Sequence, residues 1–395
     1  MKKLLYVFDN INYISGAQKV TEYQIKLLSD SYDISVFSLI RPNNDVKERL
    51  PMVNFIGDAI WNKTEILGLS FYEVIHSNKY SIKQKLLRIQ YALLMRLNNK
   101  HDYMDKYIGE LKEEFNTYDI VCVVSEASKL RALVGSLSYP KKIQWIHTDY
   151  ARWSEFSEWT RKVTENDEEI YKNYDTIVTL SETSRKGFIH KIPSLENKTV
   201  IISNLIQIDL IKKKSHEPLE INLNHKLTNI VTVGRLDKEK SYDRIFDLCK
   251  YMKNEHVQFH WYIVGDGPMR KHLQQRLENE GLRKEISLLG FMDNPYPLIK
   301  EADLFALLSE YEGTPVTIVE ALILGTPVIA TDVGGIAEQL EYGKWGILLN
   351  NNDKEISTKI CRVLFSKAWK TDEKENLKNY SYNNANILKK TKDIF

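Results

Sequence analysis

Cysteine is scarce: three in 395 residues, Cys122, Cys249 and Cys361, none of them in a Cys-x-x-Cys pair. An odd count without paired spacing excludes a disulfide scaffold and a thiolate zinc site, and points to a reducing compartment. No run of about 18 apolar residues occurs, so no transmembrane helix is expected. The apolar start is cut short by Asp9 and Asn10, which makes it a first buried strand rather than a secretion signal. An excess of one charge is also missing. Fifty-five Lys and Arg against 53 Asp and Glu leave a formal +2. That argues against a general nucleic-acid binder and leaves any electrostatic partner to a local patch. Internal repeats and low-complexity tracts are absent.

What is present is the balance of a globular protein, 43% hydrophobic and 27% charged, in a chain long enough for two hydrophobic cores. Short apolar runs alternate with helical patterns. The runs Leu4–Asp9, Ile34–Ile40, Asn54–Gly57, Ile120–Ser125, Ile143–His147, Thr176–Leu180 and Thr199–Ser203 read as strands. Several lack alternation, as parallel strands covered on both faces do. Helical patterns such as Ala17–Ser29 and Glu182–Ile192 separate them. After a polar stretch at Lys212–Lys226 the rhythm resumes with Ile230–Val233, His260–Val264, Ile286–Leu289, Leu304–Leu308, Val328–Thr331 and Gly346–Leu349. The expectation is two α/β, doubly wound domains. The tail, Glu375–Phe395, reads as helix with no strand after it.

The densest chemical signal spans 309–331. Glu312 and Glu320 have seven residues between them, with Gly313-Thr314-Pro315 after the first. Thr314 suits a helix N-cap and Pro315 a first helical position. A helix start after a glycine offers free N–H groups to an anion such as a diphosphate, and two carboxylates beside it can accept from hydroxyls. The second signal is Gly234-Arg235 with Lys240 five residues on. It lies at a strand's carboxyl end, where open α/β sheets bind ligands, and two cations there can neutralise a leaving diphosphate. Each piece has a plainer meaning. Glutamates eight positions apart usually mark a solvated face, and a lone strand-end histidine such as His147 is often a packing residue. Gly265-x-Gly267 lacks the third glycine of a dinucleotide fingerprint, which counts against an oxidoreductase. The conjunction of Glu312 and Glu320 with Arg235, Lys240 and strand-end glycines favours a site.

Together these motifs resemble glycosyltransferase family 4, of the GT-B fold, most strongly over residues 230–350 and weakly over 41–115. Gly265-Asp266-Gly267-Pro268, Gly290-Phe291 and Asp332-Val333-Gly334-Gly335 with Glu338 match further. Ser15-Gly16-Ala17-Gln18 resembles the family's Gly-Gly-Ala-Glu loop, with Ser15 for a glycine and Gln18 for the acid. Trp145-Ile146-His147 ends a strand, Ser181-Glu182 and Asn204 follow strands, and Tyr380-Ser381-Tyr382-Asn383 is similar to the start of the family's last helix. The resemblance implies two facing Rossmann-like domains: an acceptor-side domain over 1–205 with an insertion at about 58–115, a linker over 206–226, a nucleotide-sugar-binding domain over 227–374, and a helix over 375–395 that crosses back. It implies a site in the cleft, where Arg235 and Lys240 bind the diphosphate, Glu312 the transferred sugar and Glu320 the ribose. Gly290 and Phe291 meet the base. Gly16, Gly265, Gly313, Thr314, Pro315 and Val316 complete the donor site, and His147 lies near the reacting sugar. No metal or cofactor is implied, and the chain contains no Asp-x-Asp triplet, the metal-holding pattern of the other large glycosyltransferase fold.

The function expected is retaining transfer from a nucleoside-diphosphate sugar, UDP-sugar favoured, to a glycan or lipid-linked acceptor in bacterial surface-polysaccharide synthesis. Two alternatives remain: an inactive GT-B partner subunit and a GT-B sugar-nucleotide epimerase. A cytoplasmic location is expected, peripheral on the membrane's inner face if residues 79–100 bind it. There Lys79, Lys83, Lys85, Arg88, Arg96 and Lys100 flank a helical stripe of Ile82, Leu86, Ile89, Leu93 and Leu97, and no acid occurs between Val74 and His101. A core-packed helix with a basic outer face is the competing expectation.

Overall fold

A computed structural model describes residues 1–13, 15–58, 61, 66, 71–97 and 109–395. The chain divides into two units. Unit 1 comprises 1–179, 188–205 and 386–395; unit 2 comprises 180–187 and 206–385.

In unit 1 the strands are β1 (Lys2–Phe8), β2 (Tyr32–Ser38), β3 (Asn54–Ile56), β4 (Ile120–Val123), β5 (Lys141–Ile146), β6 (Thr176–Thr179) and β7 (Thr199–Ile201). They form one sheet in the order β3-β2-β1-β4-β5-β6-β7, every pairing parallel. The central strands are apolar and buried without alternation, Leu4–Phe8 in β1 and all of β4, because helices cover both faces of a parallel sheet. The chain winds outward from β1 to β3, then returns to lay β4 on the other side of β1. The carboxyl ends of β1 and β4 therefore flank the point where strand order reverses, the place at which such sheets hold ligands. Helix α1 (Gly16–Leu28) follows β1.

Unit 2 contains β8 (Thr228–Val233), β9 (Phe259–Val264), β10 (Ile286–Gly290), β11 (Leu304–Leu307), β12 (Val328–Thr331) and β13 (Ile347–Leu349). Its parallel sheet runs β10-β9-β8-β11-β12-β13, with the reversal between β8 and β11. All the expected apolar runs lie on strands, each within a residue or two of its expected limits.

Two expectations need correction. Part of the polar stretch is helical, Ile208–Lys214, and residues 206–226 group with unit 2. The tail is two helices, Lys367–Leu377 and Asn384–Asp393, with a non-helical break from Lys378 to Asn383. Apolar periodicity alone does not register such an interruption. Residues 386–395 group with unit 1. There the Phe395 ring meets Tyr6 and Tyr32 edge-on at centroid distances of 6.5 and 5.7 Å, and Lys2 Nζ donates to the Phe395 carbonyl at 2.8 Å.

Unit 1 also buries an ion pair. The Arg131 guanidinium lies 3.0 Å from Asp167, and both side chains are nearly inaccessible. Arg131 also donates to the Val163 carbonyl at 2.8 Å and to the Glu126 carbonyl, and Tyr150 donates to Asp167 at 2.6 Å. Burial pushes the Asp167 carboxyl up to about 6, although the Arg131 charge and the Tyr150 hydroxyl pull it down. Replacing Arg131 with Met strands that carboxylate, at an expected cost of about 3–5 kcal/mol at neutral pH in denaturant unfolding. Losing the guanidinium raises the carboxyl further, so the folded variant favours the protonated form at a pH where wild type does not. The deficit should shrink as pH falls from about 8 to about 6. A deficit that stays constant over that window would show that Asp167 does not carry the cost.

Candidate active site

The carboxyl ends of β8 and β11 supply the site in unit 2. After β8 the chain runs through Gly234 and Arg235 into a short 3-10 turn, Lys238–Lys240, then helix α2 (Tyr242–Asn254). After β11 it passes Ser309 and Glu312 and enters helix α3 (Val316–Ile323). The strand reversal thus brings residues 72 positions apart together: Lys240 Nζ lies 2.6 Å from Glu312 Oε1. The same oxygen accepts from Ser309 Oγ at 2.6 Å. Glu312 is only 7% exposed, so its charge is held by these two donors rather than by water. Arg235 is exposed and forms an ion pair with Asp237. Two cations therefore stand at one strand end, each on a carboxylate that an incoming polyanion would compete with.

Helix α3 begins one residue later than the sequence suggested. Pro315, not Thr314, occupies the N-cap, because its ψ of 122° is extended, and the helix starts at Val316. Glu320 becomes the fifth residue of α3. It is buried and accepts from the Tyr296 hydroxyl at 2.9 Å, away from the Lys240–Glu312 pair's hydrogen bonds. Gly313, Thr314, Pro315 and Val316 line the half-buried approach to the helix. Beside them Gly335 N donates to the Gly313 carbonyl at 2.7 Å.

The glycines have steric reasons. A methyl group at Gly265 (φ +143°) would sit 1.9 Å from the Gly234 carbonyl, and one at Gly267 would sit 2.6 Å from the Leu236 carbonyl. Gly265 therefore lets the β9 loop close on the β8 loop that carries Arg235. Gly290 has φ +78°, and the Phe291 ring after it is 63% exposed, available to stack on a flat ligand. Glu338 is committed to structure: its carboxylate accepts from the backbone N–H groups of Glu182 and Thr183, both at 2.8 Å, and so caps helix α4 (Glu182–Lys191).

In unit 1, Gly16 is exposed at the first position of α1, with Ser15 as N-cap accepting from Gln18 N at 3.1 Å. The Gln18 side chain turns inward to the Ile11 carbonyl and to Glu22, at 2.9 Å from the latter. His147 follows β5, and its backbone N donates to the buried Glu126 carboxylate at 3.2 Å. Its Nε2 is shielded and has no hydrogen-bond partner among the described residues. Burial lowers the imidazole below its ordinary range, against the pull of Glu126 and a hydrogen bond to the Val124 carbonyl. The ring is then neutral near pH 7.

Sequence reading missed Ser309, Tyr296 and Glu126. Ser309 stands three residues before Glu312 in the same loop, a spacing that was visible; the other two are contacts across elements.

Two parallel Rossmann-like sheets, with charged loops at the point of strand reversal in unit 2, are the GT-B architecture. The fold is shared with solved glycosyltransferases. Anabaena HepE, solved with UDP and glucose, aligns over 100% of this chain and 99% of its own, with TM-score 0.73 and 17% identity. Residues 213–384 match the family model described as glycosyl transferases group 1. An uncharacterized glycosyltransferase of Methanocaldococcus jannaschii is 30% identical over 203 residues, 47% of this chain and 50% of that one. The Campylobacter jejuni N-acetylgalactosamine-N,N'-diacetylbacillosaminyl-diphospho-undecaprenol 4-alpha-N-acetylgalactosaminyltransferase is 27% identical over 181 residues, 46% of this chain and 48% of that one. The chain spans half or less of the length of these curated relatives.

The site's dependence on close backbone approach is testable. At Gly334 (φ +56°) a methyl group would meet the Glu312 carbonyl at 1.9 Å; at Gly343 (φ +102°) nothing lies within 4 Å. Gly334→Ala is expected to destabilise by about 2–5 kcal/mol, strain and overpacking together. Gly343→Ala should show only the strain, about 1–3 kcal/mol. Thermal or denaturant unfolding of the two variants checks this, and equal losses would remove the packing argument.

Proposed function

We propose that the protein is a retaining, metal-independent glycosyltransferase. It takes a sugar from a nucleoside diphosphate, UDP-sugar favoured, and passes it to a glycan or lipid-linked acceptor in surface-polysaccharide synthesis. The observation that carries this reading is the Lys240–Glu312–Ser309 cluster at the strand reversal of unit 2, with Arg235 beside it. A diphosphate arriving there competes for Lys240 and Arg235. Glu312, released from its lysine, then accepts from a hydroxyl of the transferred sugar, while Glu320 accepts from the ribose. The bond from the anomeric carbon to the phosphate oxygen breaks as the acceptor oxygen bonds on the same face. The acceptor's proton passes to the leaving phosphate, whose charge the two cations stabilise. The UDP found in the Anabaena structure and the lipid-linked sugar named for the Campylobacter relative support the choices of donor and acceptor.

Transfer from a panel of nucleoside-diphosphate sugars tests the reading. Chelator should leave the rate essentially unchanged. Arg235→Ala should lower kcat by about 10²–10³-fold, and Glu312→Gln by at least about tenfold, the value of a hydrogen bond to a charged group. Loss of transfer in EDTA with recovery on manganese would reject metal independence. Normal activity in both variants would show the donor site to be elsewhere.

We further propose that the basic helix docks on anionic lipid, holding the enzyme beside a lipid-linked acceptor. The support is helix α5 (Ile82–Leu97) of unit 1, placed in sequence between β3 and β4. Ile82, Leu86, Ile89 and Leu93 on one face are 79, 59, 36 and 53% exposed. Residues 98–100 and the Arg96 and Leu97 side chains lie outside what the structure describes, as do residues 59–60, 62–65, 67–70 and 101–108 of the insertion. No helix among the described residues is long and apolar enough to cross a membrane. Wild type should sediment with anionic vesicles at low salt and be released at high salt, each cation adding about 1 kcal/mol near the surface. Changing Lys83, Lys85 and Arg88 to Gln should abolish most of that binding. Equal sedimentation of both proteins, or of neither, would reject lipid docking.

A further inference from the structure

Glu320 is held from outside its own helix. Helix α6 (Tyr296–Glu301) opens with Tyr296, five residues after Phe291 in the loop that leaves β10. Asn294 fixes that loop: its side-chain N–H groups donate to the Lys214 carbonyl at 2.9 Å and to Glu217 at 2.6 Å, and its oxygen accepts from Tyr296 N at 3.3 Å. From this anchored position the phenol reaches Glu320 Oε1 at 2.9 Å, and both side chains are buried. Burial and the adjacent Glu320 charge push the phenol well above its ordinary range. It therefore stays protonated and can only donate to the carboxylate.

A glutamate's terminal torsion is broad and roughly two-fold, so a carboxylate with no fixed neighbour swings freely about it. Vicinal ribose hydroxyls need acceptor lone pairs at a set angle. A carboxylate offers about four such positions on two oxygens, so one donor can fix its plane and leave acceptor capacity for a sugar. We propose that Tyr296 is a positioning residue for nucleotide selectivity: through Glu320 Oε1 it sets the carboxylate plane that distinguishes a ribonucleoside diphosphate from its deoxy counterpart. The inference rests on Glu320 being the ribose acceptor. It adds a mechanical link, because the loop that begins with Gly290 and Phe291 ends on the residue that orients Glu320. Seating of the base and reading of the ribose thereby share one short segment.

The test is calorimetric binding of UDP, ADP and GDP and of their 2′-deoxy and 3′-deoxy forms, using whichever base binds most tightly. The proteins compared are wild type, Tyr296→Phe and Glu320→Gln. The readout is the ratio of ribose to deoxyribose affinity within each protein, so a fraction of inactive protein in any preparation cancels. Wild type should prefer the ribonucleotide by about 10–100-fold, and Glu320→Gln should lose most of that preference. Tyr296→Phe, which keeps the ring packing and removes only the hydroxyl, should lose several-fold of the preference while binding the deoxy form nearly as wild type does. An unchanged ratio in Tyr296→Phe alongside a collapsed ratio in Glu320→Gln would overturn the role of Tyr296 and leave the donor site standing. So would equal weakening of both ligands in Tyr296→Phe, the sign of a merely structural hydroxyl. An unchanged ratio in Glu320→Gln would overturn the ribose assignment itself, and the role of Tyr296 with it.

Discussion

At Gly334 and Gly265 the main chains of neighbouring loops lie so close that a single methyl group would come within 1.9 Å of a carbonyl oxygen. This close approach is the constraint on which unit 2's candidate site depends. The Gly265 contact seats the β8 loop, whose continuation delivers Arg235 and Lys240. The Gly334 contact seats the loop that delivers Glu312. With both in place, Lys240 and Glu312 meet at 2.6 Å although both loops are otherwise irregular. The ion pair is thus a product of backbone packing and would be imprecise without it.

A buried carboxylate with two donors is also poised for exchange. Glu312 is costly to leave bare, so in the proposed donor complex a sugar hydroxyl replacing Lys240 would offset the loss of that partner. In the proposed reaction, binding of the diphosphate and binding of the sugar would therefore be coupled. Tyr296 and Glu320 show a different arrangement: a neutral phenol donates to the buried carboxylate at 2.9 Å, with no cation in that hydrogen bond.

The sheet was legible in the sequence because buried parallel strands are written as unbroken apolar runs, and Leu4–Phe8 and Ile120–Val123 are such runs. The strand-end placement of Gly234, Arg235, Lys240 and Glu312 was legible, because each follows an apolar run that forms β8 or β11. What the sequence hid was pairing at a distance. Nothing local ties Tyr296 to Glu320, 24 positions on, or Glu338 to the start of a helix 156 residues earlier. The helix start at Val316 was misread by one residue because proline fixes φ but leaves ψ open, and Pro315 takes the extended value. The break at 378–383 escaped the pattern reading of the tail, although Tyr380–Asn383 resembled a helix start and the last helix begins at Asn384.

Unit 1 is assembled from three stretches of chain, and the last of them, 386–395, places Phe395 against Tyr6 and Tyr32. A ribosome that has finished residue 205 must still make residues 206–385 of unit 2 before that aromatic contact exists. At roughly 5–20 residues per second this is a wait on the order of ten to forty seconds. During it, the nascent sheet lacks the Phe395 contact with Tyr6 and Tyr32 while a second sheet of the same parallel kind is made behind it. The order of synthesis therefore makes unit 1 the first to be started and the last to have all of its chain.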